Sequence, residues 1–183
     1  MTMKFDNKLI SLSRRYADGL FSVAQSKNQV DAAFEDLKTV LSAIMTNDDM
    51  ANFLIHPVVS IEDKKDALTS IFKDKVSESV FNLLFLLVEN NRFNLFQPIL
   101  VCYEKNMDDL KNIDRASVTS AVELDDDVKK RLQAKLEAKF NKKMILNYDI
   151  DADILAGLII KIGDKVIDSS LASKFENMKK QLI

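Results

Sequence analysis

Asp153-Ile-Leu-Ala-Gly-Leu-Ile-Ile-Lys-Ile-Gly-Asp-Lys-Val-Ile-Asp-Ser-Ser170 contains two of the three glycines in the 183-residue chain, Gly157 and Gly163. Leu158, Ile160 and Ile162 occupy alternate positions, Gly163-Asp164 interrupts them, and the apolar pattern resumes at Val166. A period of two marks a half-buried strand. A Gly-Asp pair suits a two-residue hairpin loop, because glycine takes positive φ freely and the resulting twist matches that of the strands. Nothing before about Asp114 alternates in this way. The expected fold is therefore mainly α: an N-terminal six-helix bundle over 1–112, then a small α/β domain over 113–183 containing a β-hairpin.

Around the hairpin the second domain reads as strand, helix, strand, hairpin, helix. Ala116 to Val122 is a weak strand. Asp125 or Asp126 caps a helix that turns Val128, Leu132, Leu136 and Phe140 inward. Met144, Leu146, Tyr148 and Ile150 then alternate with Ile145, Asn147 and Asp149, which predicts a strand with one buried face. Beyond the hairpin, Ser169 or Ser170 caps a last helix with Leu171, Phe175, Met178 and Leu182 on one stripe.

The first half has helical periodicity throughout. In the first helix, about Asn7 to Lys27, Leu9, Leu12, Tyr16, Leu20 and Val23 form one stripe, and Ile10, Ala17, Phe21 and Ala24 a second. Together they cover about half the circumference, more than the ~100° that a single core contact uses. Gly19 sits at the edge of this arc and costs about 1 kcal/mol of helix stability relative to Ala. A second helix spans about Gln29 to Met45. A third is capped by Asn47 or Asp48 and runs through Leu54. Ser60-Ile-Glu-Asp63 resembles a capping box opening a fourth, with Ile61, Leu68, Ile71 and Phe72 inward. The fifth, about Ser77 to Asn90, is apolar from Val80 to Val88 except at Asn82, so it needs cover on more than one side. In the sixth, about Phe93 to Asn112, Pro98 fits only the first turn or a kink.

The composition excludes several kinds of chemistry. A single cysteine, Cys102, rules out a disulfide framework and Cys-rich zinc sites. A single histidine, His56, rules out His-pair metal sites, and its position before Pro57 reads as a loop. Three unclustered glycines cannot form a phosphate-binding loop. Asp125-Asp126-Asp127 stands where helix capping accounts for it. No catalytic residues, metal ligands or cofactor are expected. A net charge of −2 provides no general attraction to nucleic acid or anionic lipid. The longest apolar run, Leu83–Val88, is too short to span a bilayer, so any membrane association is expected through partners. Lys129, Lys130, Arg131, Lys135, Lys139, Lys142 and Lys143 leave one alternative, a nucleic-acid-binding module built on the basic helix 128–143. They lie on the polar side of an amphipathic helix without interleaved aromatics, and a solvated face is the simpler reading. The feature left over is surplus apolar helix surface, which points to protein–protein binding.

Several stretches resemble one family. Arg15-Tyr16-Ala17-Asp18-Gly19-Leu20-Phe21-Ser22-Val23-Ala24 is similar to the opening signature of the delta subunit of F-type ATP synthase, the oligomycin-sensitivity-conferring protein family. Pro57-Val58 with Lys64 and Lys65, and Leu87-Val88-Glu89-Asn90-Asn91-Arg92-Phe93, fit its middle. Ala156 to Ser170 fits its C-terminal motif. Asn91, Ala156 and Ser169 stand where glycine is frequent in the family. The resemblance implies a non-catalytic stator component at the cytoplasmic face of a bacterial membrane. Its helical domain would bind N-terminal helices of alpha subunits on the catalytic head. Its second domain would hold the b subunits of the peripheral stalk, so that proton translocation is coupled to ATP synthesis. The family's alpha helix lies against the first and fifth helices, the two with excess apolar surface here. The expected contacts are Tyr16, Gly19 and Leu20 with Leu83 and Leu86.

Overall fold

The computed structural model describes residues 7–163 and 165–171. The described residues are mainly helical. They form α1 (Asn7–Ser26), α2 (Val30–Met45), α3 (Asp48–Ile55), α4 (Ile61–Phe72), α5 (Glu78–Glu89) and α6 (Phe96–Leu110). Next come β1 (Ile113–Ser120), α7 (Asp126–Phe140), β2 (Lys143–Ile150), β3 (Leu158–Ile162) and β4 (Lys165–Asp168). The helix expected to carry Phe175, Met178 and Leu182 lies outside the described residues, as does Asp164. Between Met107 and Asp108 the chain divides into two compact units. Asp108 belongs with the second unit chemically, because its carboxylate accepts from the Arg115 guanidinium on β1.

Local chemistry sets the helix ends in the first unit. The Asn47 side chain accepts from the Met50 amide at 3.2 Å and caps α3. Ser60 Oγ accepts from the Asp63 amide at 3.1 Å and donates to Asp63 Oδ2 at 2.7 Å, capping α4. The carboxylate accepts its hydrogen bond from the hydroxyl, whereas the return bond of a capping box comes from the N-cap amide. Asparagine closes α1 and α5, where a chain richer in glycine would use glycine. Asn28 and Asn91 sit at φ 54° and 53°. At each, paired bonds run back into the helix, Gln29 N to Ala24 O with Asn28 N to Gln25 O, and Arg92 N to Leu87 O with Asn91 N to Val88 O. This is the Schellman arrangement, and asparagine tolerates the left-handed conformation it requires.

Leu37, Val40, Leu68, Phe72, Leu84, Leu87, Ile99 and Tyr103 form the centre of the first core. Tyr103 donates to Val30 O at 3.1 Å and packs edge-on against Phe21. Pro98 occupies the first turn of α6, where the amide it lacks has no intrahelical partner. On α4 the inward row is Lys64, Leu68 and Phe72. Ile61, expected inward, is 39% exposed. A first-turn residue has little helix above it to seal it, and the row at intervals of four begins at Lys64, whose aliphatic stem can fill an apolar site.

In the second unit the sheet order is β2-β1-β3-β4. β1 and β2 are parallel and joined through α7, and β3 pairs antiparallel with both β1 and β4. The core is Ala116, Val118, Leu136, Met144, Ile160 and Ile162. β1 begins three residues earlier than the alternation suggests, where Ile113 pairs with Lys143 of β2, and Lys142 pairs with Asp114 and Asp108 with Arg115 along this added length. In the hairpin Ile162 is opposite Lys165 and Ile160 opposite Ile167. Cross-strand partners share a face, so Ile167 turns inward and Val166, opposite Lys161, is exposed. Ile150 is exposed as well, at the open end of β2. Gly163 has φ 55°, the sign that a primed turn requires at its first position. Gly157, at φ 98°, is fixed by space: a Cβ there would lie 2.4 Å from the carbonyl oxygen of Ser169.

Candidate functional site

α1 and α5 run antiparallel, as their end contacts show. Lys27 at the end of α1 is 3.6 Å from Glu78 at the start of α5. At the other end Arg92, just beyond α5, donates to the Tyr16 hydroxyl at 3.0 Å. Between these closures lies an open groove of about 420 Å³. Tyr16, Gly19 and Leu20 line it from α1, and Leu83 and Leu86 from α5, so all five expected contact residues meet in one place. Leu20 and Leu83 are buried and form the floor, while Leu86 is 44% exposed on the wall. Nothing lies within 4 Å of a Cβ placed on Gly19. The missing side chain therefore leaves open space in the groove.

Sequence reasoning did not name six further lining residues, Arg15, Val23, Lys27, Glu78, Ser79 and Asn82. Val23 follows Gly19 by one turn on the same stripe and is also 44% exposed. Arg15 is polar, and an apolar wheel passes over it. The other flank of α5 is covered. Phe85 packs on Phe81, Lys65 Nζ stands 5.4 Å above its ring, and Lys65 also pairs with Glu89. α5 thus meets its need for burial everywhere except toward the groove.

The other candidates have structural roles. His56 follows α3 with extended backbone before Pro57, and its Nδ1 accepts from the Val58 amide at 3.3 Å. Burial pushes the Cys102 thiol up, which lowers its thiolate fraction. Among the described residues no group of three or more His, Cys, Asp or Glu is placed to hold a metal ion. No described helix is long and apolar enough to cross a membrane. On the basic helix, Lys129 pairs with Asp126 and lies 5.5 Å above the Tyr148 ring, and Lys139 lies over Phe140. The rings of Tyr148 and Phe140, beside the basic helix, are thus faced by the protein's own lysines rather than open for base stacking.

The chain is a two-unit protein with a groove between two helices in one unit and a small mixed sheet in the other. The ATP synthase delta (OSCP) subunit family model matches residues 12–182. ATP synthase subunit delta of Clostridium botulinum (strain Loch Maree / Type A3) is 36% identical over 172 residues, spanning 94% of this chain and 96% of its own length. The same subunit of Clostridium perfringens is 35% identical over equal shares. A chain of the Toxoplasma gondii mitochondrial ATP synthase hexamer shares the fold, with a TM-score of 0.69 and 23% identity across 93% of this chain and 97% of its own. The chain belongs to the ATP synthase delta (OSCP) subunit family. Within the F-type complex it is a stator subunit linking the catalytic head to the peripheral stalk.

Proposed function

We propose that the α1–α5 groove receives an N-terminal helix of an alpha subunit of the catalytic head. The first domain, 1–112, acts as a six-helix bundle seated on the head, and the second, 113–183, holds the ends of the peripheral-stalk b subunits. The tether is non-catalytic and peripheral, at the cytoplasmic face of a bacterial membrane. By resisting rotation of the head with the rotor, it couples proton flow to ATP synthesis.

One observation carries this reading: Tyr16, Gly19, Leu20, Leu83 and Leu86 line a single apolar groove that no described side chain fills. Laying an amphipathic helix into such a groove is a common recognition mode. The test is titration of the full chain with a labelled peptide of the cognate alpha N-terminus, comparing wild type with Leu86→Gln. Leu86 is already substantially exposed, so the variant should fold normally. Loss of its contact should weaken binding about fivefold or more. Failure of the peptide to bind the wild-type chain would sink the proposal.

A further inference from the structure

The two ends of the groove differ in charge. At one end Lys27 is neutralised by Glu78, 3.6 Å away. At the other, Arg15 lines the groove beside Tyr16, and Arg92 binds the Tyr16 hydroxyl through Nη1. Among the described residues neither arginine has a carboxylate within ion-pair distance. The nearest acid on α5 is Glu89, one turn from Leu86, and it is already held by Lys65 of α4. Asp18, one turn from Arg15 on α1, accepts from Asn106 of α6, and Arg14 acts on Cys102 of the same helix. Among the described residues, the Tyr16 end thus presents two guanidiniums with no carboxylate paired to them, next to an apolar floor that invites a helix.

We infer that the helix occupying this groove carries one or more carboxylate side chains on the turn that seats beside Tyr16. Arg15 and Arg92 read those carboxylates and so set the direction and register of the bound helix. This rests on the groove being the alpha-helix site. An apolar stripe alone can be bound in either direction and at several registers. A charge at one end removes that degeneracy, because the reversed helix would leave its acids beside the Lys27–Glu78 pair. Like-charge juxtaposition and loss of complementarity are how interfaces reject wrong poses. Guanidinium suits the task, since its planar fork can hold a carboxylate through two parallel hydrogen bonds.

The experiment uses the full chain and a labelled synthetic peptide of the cognate alpha N-terminus, titrated at several salt concentrations. Arg15→Gln and Arg92→Gln should each weaken binding by about two- to fivefold near physiological salt, the range for partly exposed ion pairs. Each should also flatten the salt dependence, because a screened pair has been removed. Arg92→Lys should restore the salt dependence. Replacing the matching peptide carboxylate by an amide should produce the same loss, with no further loss when paired with the arginine variant. Equal affinity and equal salt slope for wild type and both glutamine variants would overturn the inference while leaving the groove reading intact. Absence of binding to the wild-type chain would instead overturn the groove reading itself.

Discussion

Gly19→Leu should change folding stability and partner binding in opposite directions. Gly19 lies inside α1, and a Cβ placed there meets nothing within 4 Å. In the free chain the added Cβ meets no neighbour and a poor helix former is removed, a gain of about 0.8 kcal/mol. For a unit of this size that raises the melting temperature by about 3–6 °C. In the complex the four-carbon side chain stands over the floor formed by Leu20 and Leu83. The partner helix must then move outward and give up at least one buried apolar anchor, worth about 1.5–3 kcal/mol. Affinity should fall by about 10- to 150-fold. Circular dichroism melts and peptide-binding isotherms on the same samples read both effects, with Gly19→Ala giving the stability gain and a smaller binding loss. A lowered melting temperature would refute the open-space reading. Unchanged affinity would refute the occupancy of the groove at Gly19.

The two glycines of the second unit should respond unequally. Gly157→Ala combines φ 98° with a Cβ 2.4 Å from the Ser169 carbonyl oxygen and should cost about 2 kcal/mol or more. Gly163→Ala has open space at φ 55° and should cost about 1 kcal/mol, both readable by urea denaturation followed on the sheet. Burial pushes the Tyr103 hydroxyl up to about 12 from an ordinary 10, with Asp31 adding to the shift. This group's contribution is complete below pH 10 and is lost as pH rises toward 12. Tyr103→Phe should cost about 1 kcal/mol at neutral pH through the lost bond to Val30 O, and should reduce the alkaline fall in a pH series of melts. Glu137 is held below the usual carboxylate range, first by the Met144 amide and then by the Gln133 side chain. Its contribution is present above pH 4.5 and disappears as pH falls through the lowered value, so Glu137→Gln should flatten the acid limb of the stability profile.

What could be read from the sequence followed from local periodicity. The helix starts at Asn47 or Asp48 and at Ser60, and the strand over 144–150, needed only short-range chemistry, and the structure has them with Asn47 as the cap and the strand from Lys143. The misreadings share a cause, which is that burial depends on neighbours that periodicity does not name. Ile61 lies on the right face of α4 but too near its end to be covered. Ile150 continues the alternation of β2 past the point where the core stops. Val166 could have been placed correctly, because a two-residue loop puts Ile162 opposite Lys165 and so Ile167 opposite Ile160. Arg15 and Arg92 escaped because their significance lies in what does not surround them. One flanks the groove on α1, and the other reaches it across 76 positions of sequence through Tyr16.

The three glycines separate what folding requires from what binding requires. Gly157 is demanded by the Ser169 backbone passing beside it, and Gly163 by the positive φ of its turn. Gly19 answers to neither kind of constraint: it has ordinary helical geometry, no neighbour near its Cβ position, and a better helix former would fit. Gly19 costs the free chain about 1 kcal/mol with no return in its own packing, and the proposed helix site supplies a reason for it outside the chain. The groove it leaves open is apolar at the floor, closed by a neutral ion pair at one end and edged by two arginines at the other. Under the proposed binding mode, a helix with a matching stripe and an acidic end turn would recover that cost by approaching the backbone closely at Gly19, where a side chain would hold it away.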